Sequence, residues 1–185
     1  MFQLILGSND HYDQFITAAR KTVAQSRDET IASYGSYFSG ACAFSVFTRA
    51  ERVDFLALLK LLAALLQPGG ELLFTAFLLT PYSRNAIERR ASLFPFGETR
   101  YEEEGKVFIG SVPDRLGFIA FDLSLVEEMV FDAGLVITHV EHGSWTGAGF
   151  SSSLQDVIVC RQPQVRTGEV RHVPTVARPP RTASN

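Results

Sequence analysis

The chain has 185 residues, enough for one domain with a sizeable core and too few for two ordinary ones. Its 46% hydrophobic content excludes a disordered chain, and a net charge of −3 gives no electrostatic reason to expect nucleic acid as a partner. The longest apolar segment, Phe55–Leu66, is interrupted by Lys60 and closed by Pro68. It runs about twelve residues where a membrane-spanning helix needs about twenty, so it reads as a core helix and no membrane partner is expected.

In chain order, Phe2–Leu6 is a continuous apolar run, and Gly7-Ser8-Asn9-Asp10 supplies turn and N-cap chemistry. Tyr12–Gln25 then places Phe15, Ile16, Ala19 and Val23 at helical spacing. Residues 27–40 are polar and weakly patterned, with Thr30–Tyr34 a candidate short edge strand. Ala41–Phe47 reads as a fully buried strand. Thr48 with Glu51 three residues on predicts a capping box, in which hydroxyl and carboxylate each satisfy an orphaned backbone N–H. The helix 49–67 that follows carries leucine on nearly every side and is expected to be covered on more than one face.

Pro68-Gly69-Gly70 stops that helix, because proline disfavours helical backbone at Gln67 and glycine permits a positive φ. Leu72–Leu79 is apolar on both faces, as a central strand of a parallel sheet requires. A short strand, a capped helix and a second buried strand form one crossover of an α/β sheet. A helix is predicted around Arg84–Ser92, then a loop-rich stretch Phe94–Leu116 whose Glu102-Glu103-Glu104 run reads as solvated. Phe118–Phe121 is a short strand or an extended lead-in. Ser124 and Glu127 repeat the capping-box spacing before the helix Leu125–Ala133, which Gly134 ends. Leu135–His142 and Leu154–Arg161 read as an antiparallel pair joined by a Gly/Ser-rich connection containing Trp145. The organisation expected is one α/β domain over 1–162 and a disordered tail over 163–185, whose four arginines stand against one glutamate.

Ser45-Val46-Phe47-Thr48, Leu65-Leu66-Gln67-Pro68-Gly69-Gly70, Phe74-Thr75-Ala76-Phe77-Leu78-Leu79, Gly143-Ser144-Trp145 and Leu154-Gln155-Asp156-Val157-Ile158-Val159 occur in one order. Together they resemble the back half of the class I S-adenosylmethionine-dependent methyltransferases, over residues 41–162. The resemblance implies a Rossmann-like methyltransferase sheet, mostly parallel with an antiparallel C-terminal strand, and truncated at its N-terminal side. It implies S-adenosylmethionine as cofactor, a small-molecule methyl acceptor and a cytoplasmic enzyme. It assigns Phe44, Ser45, Val46 and Phe47 to the cofactor cleft. Asn9 falls at the usual acidic position that binds the ribose hydroxyls and Asp10 falls one residue late, with a plain helix N-cap the competing role for Asp10.

The chain departs from the family in several respects: too little chain separates the Tyr12 helix from Ala41 for a full third strand, Arg49 stands where relatives often carry histidine, and no glycine-rich loop of GxGxG type is present anywhere in it. Glycines there let backbone approach the cofactor without a β-carbon in the way. The isolated chain is therefore expected to bind cofactor weakly or not at all. Two alternatives stand beside methyl transfer: a non-catalytic interaction domain, with a homo-oligomer or partner covering an exposed sheet edge, or a piece of a longer enzyme.

Other candidates are weaker. His139 and His142 on one strand point to opposite faces, against a shared metal. Glu141 and His142 read as a solvated strand end in preference to a substrate-facing pair. Trp145 is a candidate for stacking on a substrate, closing the cleft or covering the sheet edge. Cys42 and Cys160 lie in apolar runs with no CxxC spacing, and read as buried free thiols.

Overall fold

The computed structural model describes residues 28–147 and 151–164. Helical residues 28–34 lead into β1 (Phe38–Ala43), a 3-10 turn (Phe47–Arg49), α1 (Arg52–Leu65) and β2 (Leu66–Ala76). Then come β3 (Leu78–Leu79), α2 (Pro81–Glu88), β4 (Arg100–Glu102), β5 (Val107–Ile109) and β6 (Ile119–Asp122). The sequence of elements closes with α3 (Leu123–Asp132), β7 (Val136–Glu141) and β8 (Asp156–Arg161).

Two four-stranded sheets form, in the orders β1-β2-β8-β7 and β3-β6-β5-β4. β1 and β2 are parallel, with Ala41 opposite Leu72 and Ala43 opposite Phe74, as the predicted crossover requires. β8 is antiparallel to both of its neighbours and sits between β2 and β7, so β7 runs parallel to β2. The fold is mixed α/β, as expected, with the antiparallel strand inserted inside the sheet.

The apolar pattern explains the core. Phe55, Leu59 and Ala63 of α1 share one face and pack with Phe47, Leu72 and Phe74 and with Val126, Met129 and Val130 of α3. The rings of Phe47, Phe55, Phe74 and Phe121 meet at centroid distances of 4.4–5.8 Å, mostly tilted or edge-on as the aromatic quadrupole prefers. A second cluster under the smaller sheet gathers Phe77, Phe108, Phe118 and Trp145, with Phe77 stacked on Phe118 at 4.1 Å.

Several expectations need correction. β1 starts three residues early and is largely exposed, and Cys42 is exposed while Cys160 is buried. Thr30–Tyr34 is helical, not an edge strand. The Thr48 capping box does not form. Phe47–Arg49 takes a 3-10 turn, the helix begins at Arg52, and Thr48 Oγ1 donates to the Ser45 carbonyl. Glu51 instead makes a bidentate pair with Arg115, which also holds Glu102.

The acidic run is not a bare solvated loop. Glu102 ends β4, Glu103 pairs with Arg52 at 2.8 Å, and the stretch forms a β4–β5 hairpin. Leu72–Leu79 is broken at Phe77, so Leu78–Leu79 joins the second sheet alongside β6. α3 is capped by Asp122, whose carboxylate accepts from the Ser124 N–H, so Ser124 and Glu127 form no capping box. Its C-terminal stop holds: Gly134 has φ +79°, and Gly134 and Leu135 donate back to the carbonyls of Phe131 and Val130. Asn9 and Asp10 lie outside the described residues.

Candidate functional site

In an open α/β sheet the carboxyl ends of parallel strands open onto a crevice, because the chain leaves each strand there to cross over. Here that edge is formed by the ends of β1, β2 and β7 and the start of antiparallel β8, where Ala76 faces Asp156 and Glu141 faces Val157. Two polar groups occupy it.

The first is a closed ring through three residues, one of its links a backbone N–H. The Ser45 N–H donates to Thr75 Oγ1 (2.8 Å), Thr75 Oγ1 donates to Gln155 Oε1 (2.5 Å), and Gln155 Nε2 donates to Ser45 Oγ (2.9 Å). This ring holds Ser45 at φ +57°, a left-handed conformation that costs a residue with a β-carbon about 1–2 kcal/mol. Beside it Phe44 and Val46 are 62% and 42% exposed, whereas the 3-10 turn carries Phe47 into the core at 0%. Of the four residues assigned to the cofactor cleft, Phe44, Ser45 and Val46 therefore stand on the sheet edge.

The second group is built on Asp156, whose side chain is only 3% exposed. Its Oδ2 accepts from the Leu78 N–H (2.8 Å) and Trp145 Nε1 (2.7 Å). Its Oδ1 accepts from the Gly143 N–H (2.9 Å) and lies 3.2 Å from His142 Nδ1. Four donors fill the four lone-pair positions of one carboxylate. The group ties the β2–β3 break to the β7–β8 connection. A methyl at Gly143 would overlap the Leu154 carbonyl, so the close approach of the two chains requires glycine there. Trp145 is fully buried against Phe77 and Phe118, so it fills the core and does not stack on a substrate.

An open cleft of about 560 Å³ lies over this second group. Leu78, Pro81 and Tyr82 supply its apolar side, and Thr80, Thr146 and His142 its polar side. Pro81 begins α2, and Thr80 and Ser83 cap that helix reciprocally, which fixes the wall. Glu141 stands at the rim and accepts from Ser152 Oγ. Glu141 and His142 stand exposed at the end of β7, as the solvated strand end read from the sequence requires, and both also line the cleft. The sequence signal missed was the Asp156 partner, fourteen residues further along the chain. Among the described residues no group of three or more His, Cys, Asp or Glu is placed to hold a metal, and no helix is long and apolar enough to cross a membrane.

No protein-family model and no curated protein matches the chain. Solved structures do resemble its path. A SAM-dependent methyltransferase of Methanosarcina mazei is 18% identical, with 71% of this chain covering 62% of that one at a TM-score of 0.48. The Burkholderia thailandensis 1,6-didemethyltoxoflavin-N1-methyltransferase, solved with 1,6-didemethyltoxoflavin and S-adenosylhomocysteine, is 16% identical (70% and 46% covered, TM-score 0.46). Magnesium protoporphyrin IX methyltransferase of Synechocystis is 13% identical (71% and 48%, TM-score 0.42). A pericyclic reaction enzyme is 11% identical (68% and 26%, TM-score 0.40). The chain spans about half the length of the structures it resembles, and likenesses this distant concern fold, not activity.

Proposed function

We propose that the chain is a domain of S-adenosylmethionine-dependent methyltransferase type that presents a small-molecule methyl acceptor in the cleft over Asp156. The observation that carries this reading is the placement of both polar groups along the carboxyl edge of adjacent strands β1 and β2, where such sheets bind ligands. The ordered sequence words quoted above support it. Methyl transfer is governed by positioning, so a wall and a cleft are the main demands on the protein. Cytoplasmic placement belongs to the same reading.

The described residues fit only part of a cofactor site. Phe44 and Val46 offer one apolar wall, while the Ser45 N–H is already taken by Thr75. The sequence has no glycine-rich turn to bring backbone against the rest of the cofactor. The test is a titration with S-adenosylhomocysteine followed through the amide resonances of Phe44, Ser45 and Val46. Shifts centred on that end of β1, with Kd about 1 mM or weaker, are expected. No shifts there at several millimolar would refute the reading, and micromolar affinity would refute the partial site.

A second reading has its own observation. Among the described residues β1 has no strand on its outer side, where Cys42 and Phe44 are exposed. Such an edge pairs readily with another chain. A concentration-dependent dimer in sedimentation, lost on substituting Phe44 by Lys, would favour an interaction domain.

A further inference from the structure

We propose that His142, oriented by Asp156, is the proton acceptor of the cleft, and that the cleft takes a neutral, flat molecule bearing an ionisable O–H or N–H of phenol or heteroaromatic type. The proposal takes its acceptor class from the methyl-transfer reading and adds the residue that prepares the acceptor.

The tautomer follows from the partner. Both Asp156 oxygens already accept backbone or indole N–H groups, so His142 Nδ1 approaches Oδ1 attractively only when Nδ1 carries the hydrogen. Nε2 then holds the lone pair. His142 is 61% exposed and lines the cleft, and Nε2 has no hydrogen-bond partner among the described residues. A buried carboxylate behind an imidazole whose far nitrogen is open to a ligand is the arrangement general-base chemistry requires. Asp156 fixes the ring and faces the imidazolium that forms.

Charge selects the ligand. The groups around His142 are Asp156 from β8, Glu141 from β7 and the Tyr82 phenol from α2, and no Lys or Arg lines the cleft among the described residues. A ligand that arrives as an anion meets Asp156 and Glu141 with no cation beside them and is disfavoured, whereas the anion left by proton transfer is paired with the imidazolium formed at His142. Leu78, Pro81 and the exposed Tyr82 ring give an apolar wall that suits a flat molecule, and the hydroxyls of Thr80 and Thr146 give it polar contacts. In the step itself the ligand's O–H or N–H bond breaks, its electron pair stays on the ligand, and the proton binds His142 Nε2 and later passes to water.

The test uses the full chain and 4-nitrophenol, a neutral phenol that absorbs visible light only when ionised. Below the dye's own midpoint, the protein should raise the ionised fraction, lowering the apparent midpoint by about one unit, or tenfold in ionisation constant. His142→Gln should still bind the dye, read from amide shifts at Thr80 and Tyr82, and lose the protein-induced gain in the visible band. His139→Gln, on the exposed β7 surface, should keep it. A band equal in His142→Gln and the parent, dye bound without ionisation, or no binding in the cleft would each overturn the proposal. The readout needs no cofactor. Failure here with S-adenosylhomocysteine shifts intact removes only the base, and the converse result removes only the methyl-transfer reading.

Discussion

Asp156→Asn is a stringent test of whether the carboxylate organises the site, because it keeps the volume and changes one oxygen to an amide nitrogen. Whichever way the amide turns, its NH2 faces two donors: Leu78 N–H with Trp145 Nε1, or Gly143 N–H with His142 Nδ1. The second orientation is cheaper, since exposed His142 can turn to water. It orphans the Gly143 N–H at about 1–3 kcal/mol and replaces two charge-assisted bonds by neutral ones at about 1 kcal/mol each, so the total loss is about 3–5 kcal/mol. A domain of this size has about 5–15 kcal/mol in all. With a urea slope of about 2 kcal/mol per molar, the midpoint should fall by about 2 M. Trp145 is the only tryptophan, so its fluorescence reports the site, and circular dichroism followed alongside tests for a single transition. Gln155→Ala, whose side chain stands at the exposed edge, should cost less than about 1 kcal/mol. A loss under about 1 kcal/mol for Asp156→Asn would refute the hub.

Three further outcomes follow from the packing and the charges. Hydrogen bonds from Arg115, opposed by partial burial and aided by Arg100, hold the Glu102 carboxyl at about 2, below its usual 4.5. A lowered folded value means the contribution is complete above about 4.5 and disappears as pH falls through about 2. Solvent screening limits it to about 1 kcal/mol, and Arg115→Gln should flatten that part of a pH series of thermal melts. Burial pushes the Cys160 thiol up to about 12 while Cys42 is exposed, so a disulfide dye should titrate one thiol in the native protein and both in denaturant. Gly143→Ala should destabilise by more than about 2 kcal/mol, measured by urea unfolding, because its methyl meets the backbone of Leu154 and Gln155.

The larger sheet was legible because β2, β8 and α1 carry apolar runs, although α1 stops at Leu65 and Pro68-Gly69-Gly70, with Gly69 at φ +81°, lies inside β2 instead of ending the helix. The smaller sheet was not. β3, β4 and β5 are two or three residues each, too short for any period to register, and the Glu102–Glu104 run hid two of the ion pairs that fasten the hairpin to α1 and the 115 loop. The two capping boxes failed for a related reason. The spacing was present in both, but Glu51 was taken by Arg115, and Asp122, two residues ahead of Ser124, caps the helix with the carboxylate oxygen that Arg84 leaves open.

For the site, sequence pattern and sequence chemistry separate. Phe44, Ser45 and Val46 were singled out only through the family resemblance, and they follow the last residue of β1; nothing local shows that Thr75 and Gln155 would lock Ser45 in a left-handed conformation. His142 looked like an isolated polar residue at a strand end, the commonest situation on any surface. What changes its meaning is Asp156, and Asp156 reaches it only because β8 is inserted antiparallel between β2 and β7. That insertion places the first residue of β8 at the carboxyl edge, beside the last residues of β7. A parallel final strand in the same slot would put its first residue at the opposite edge, and the imidazole would have no carboxylate behind it. The direction of one strand therefore decides whether this cleft contains an oriented base.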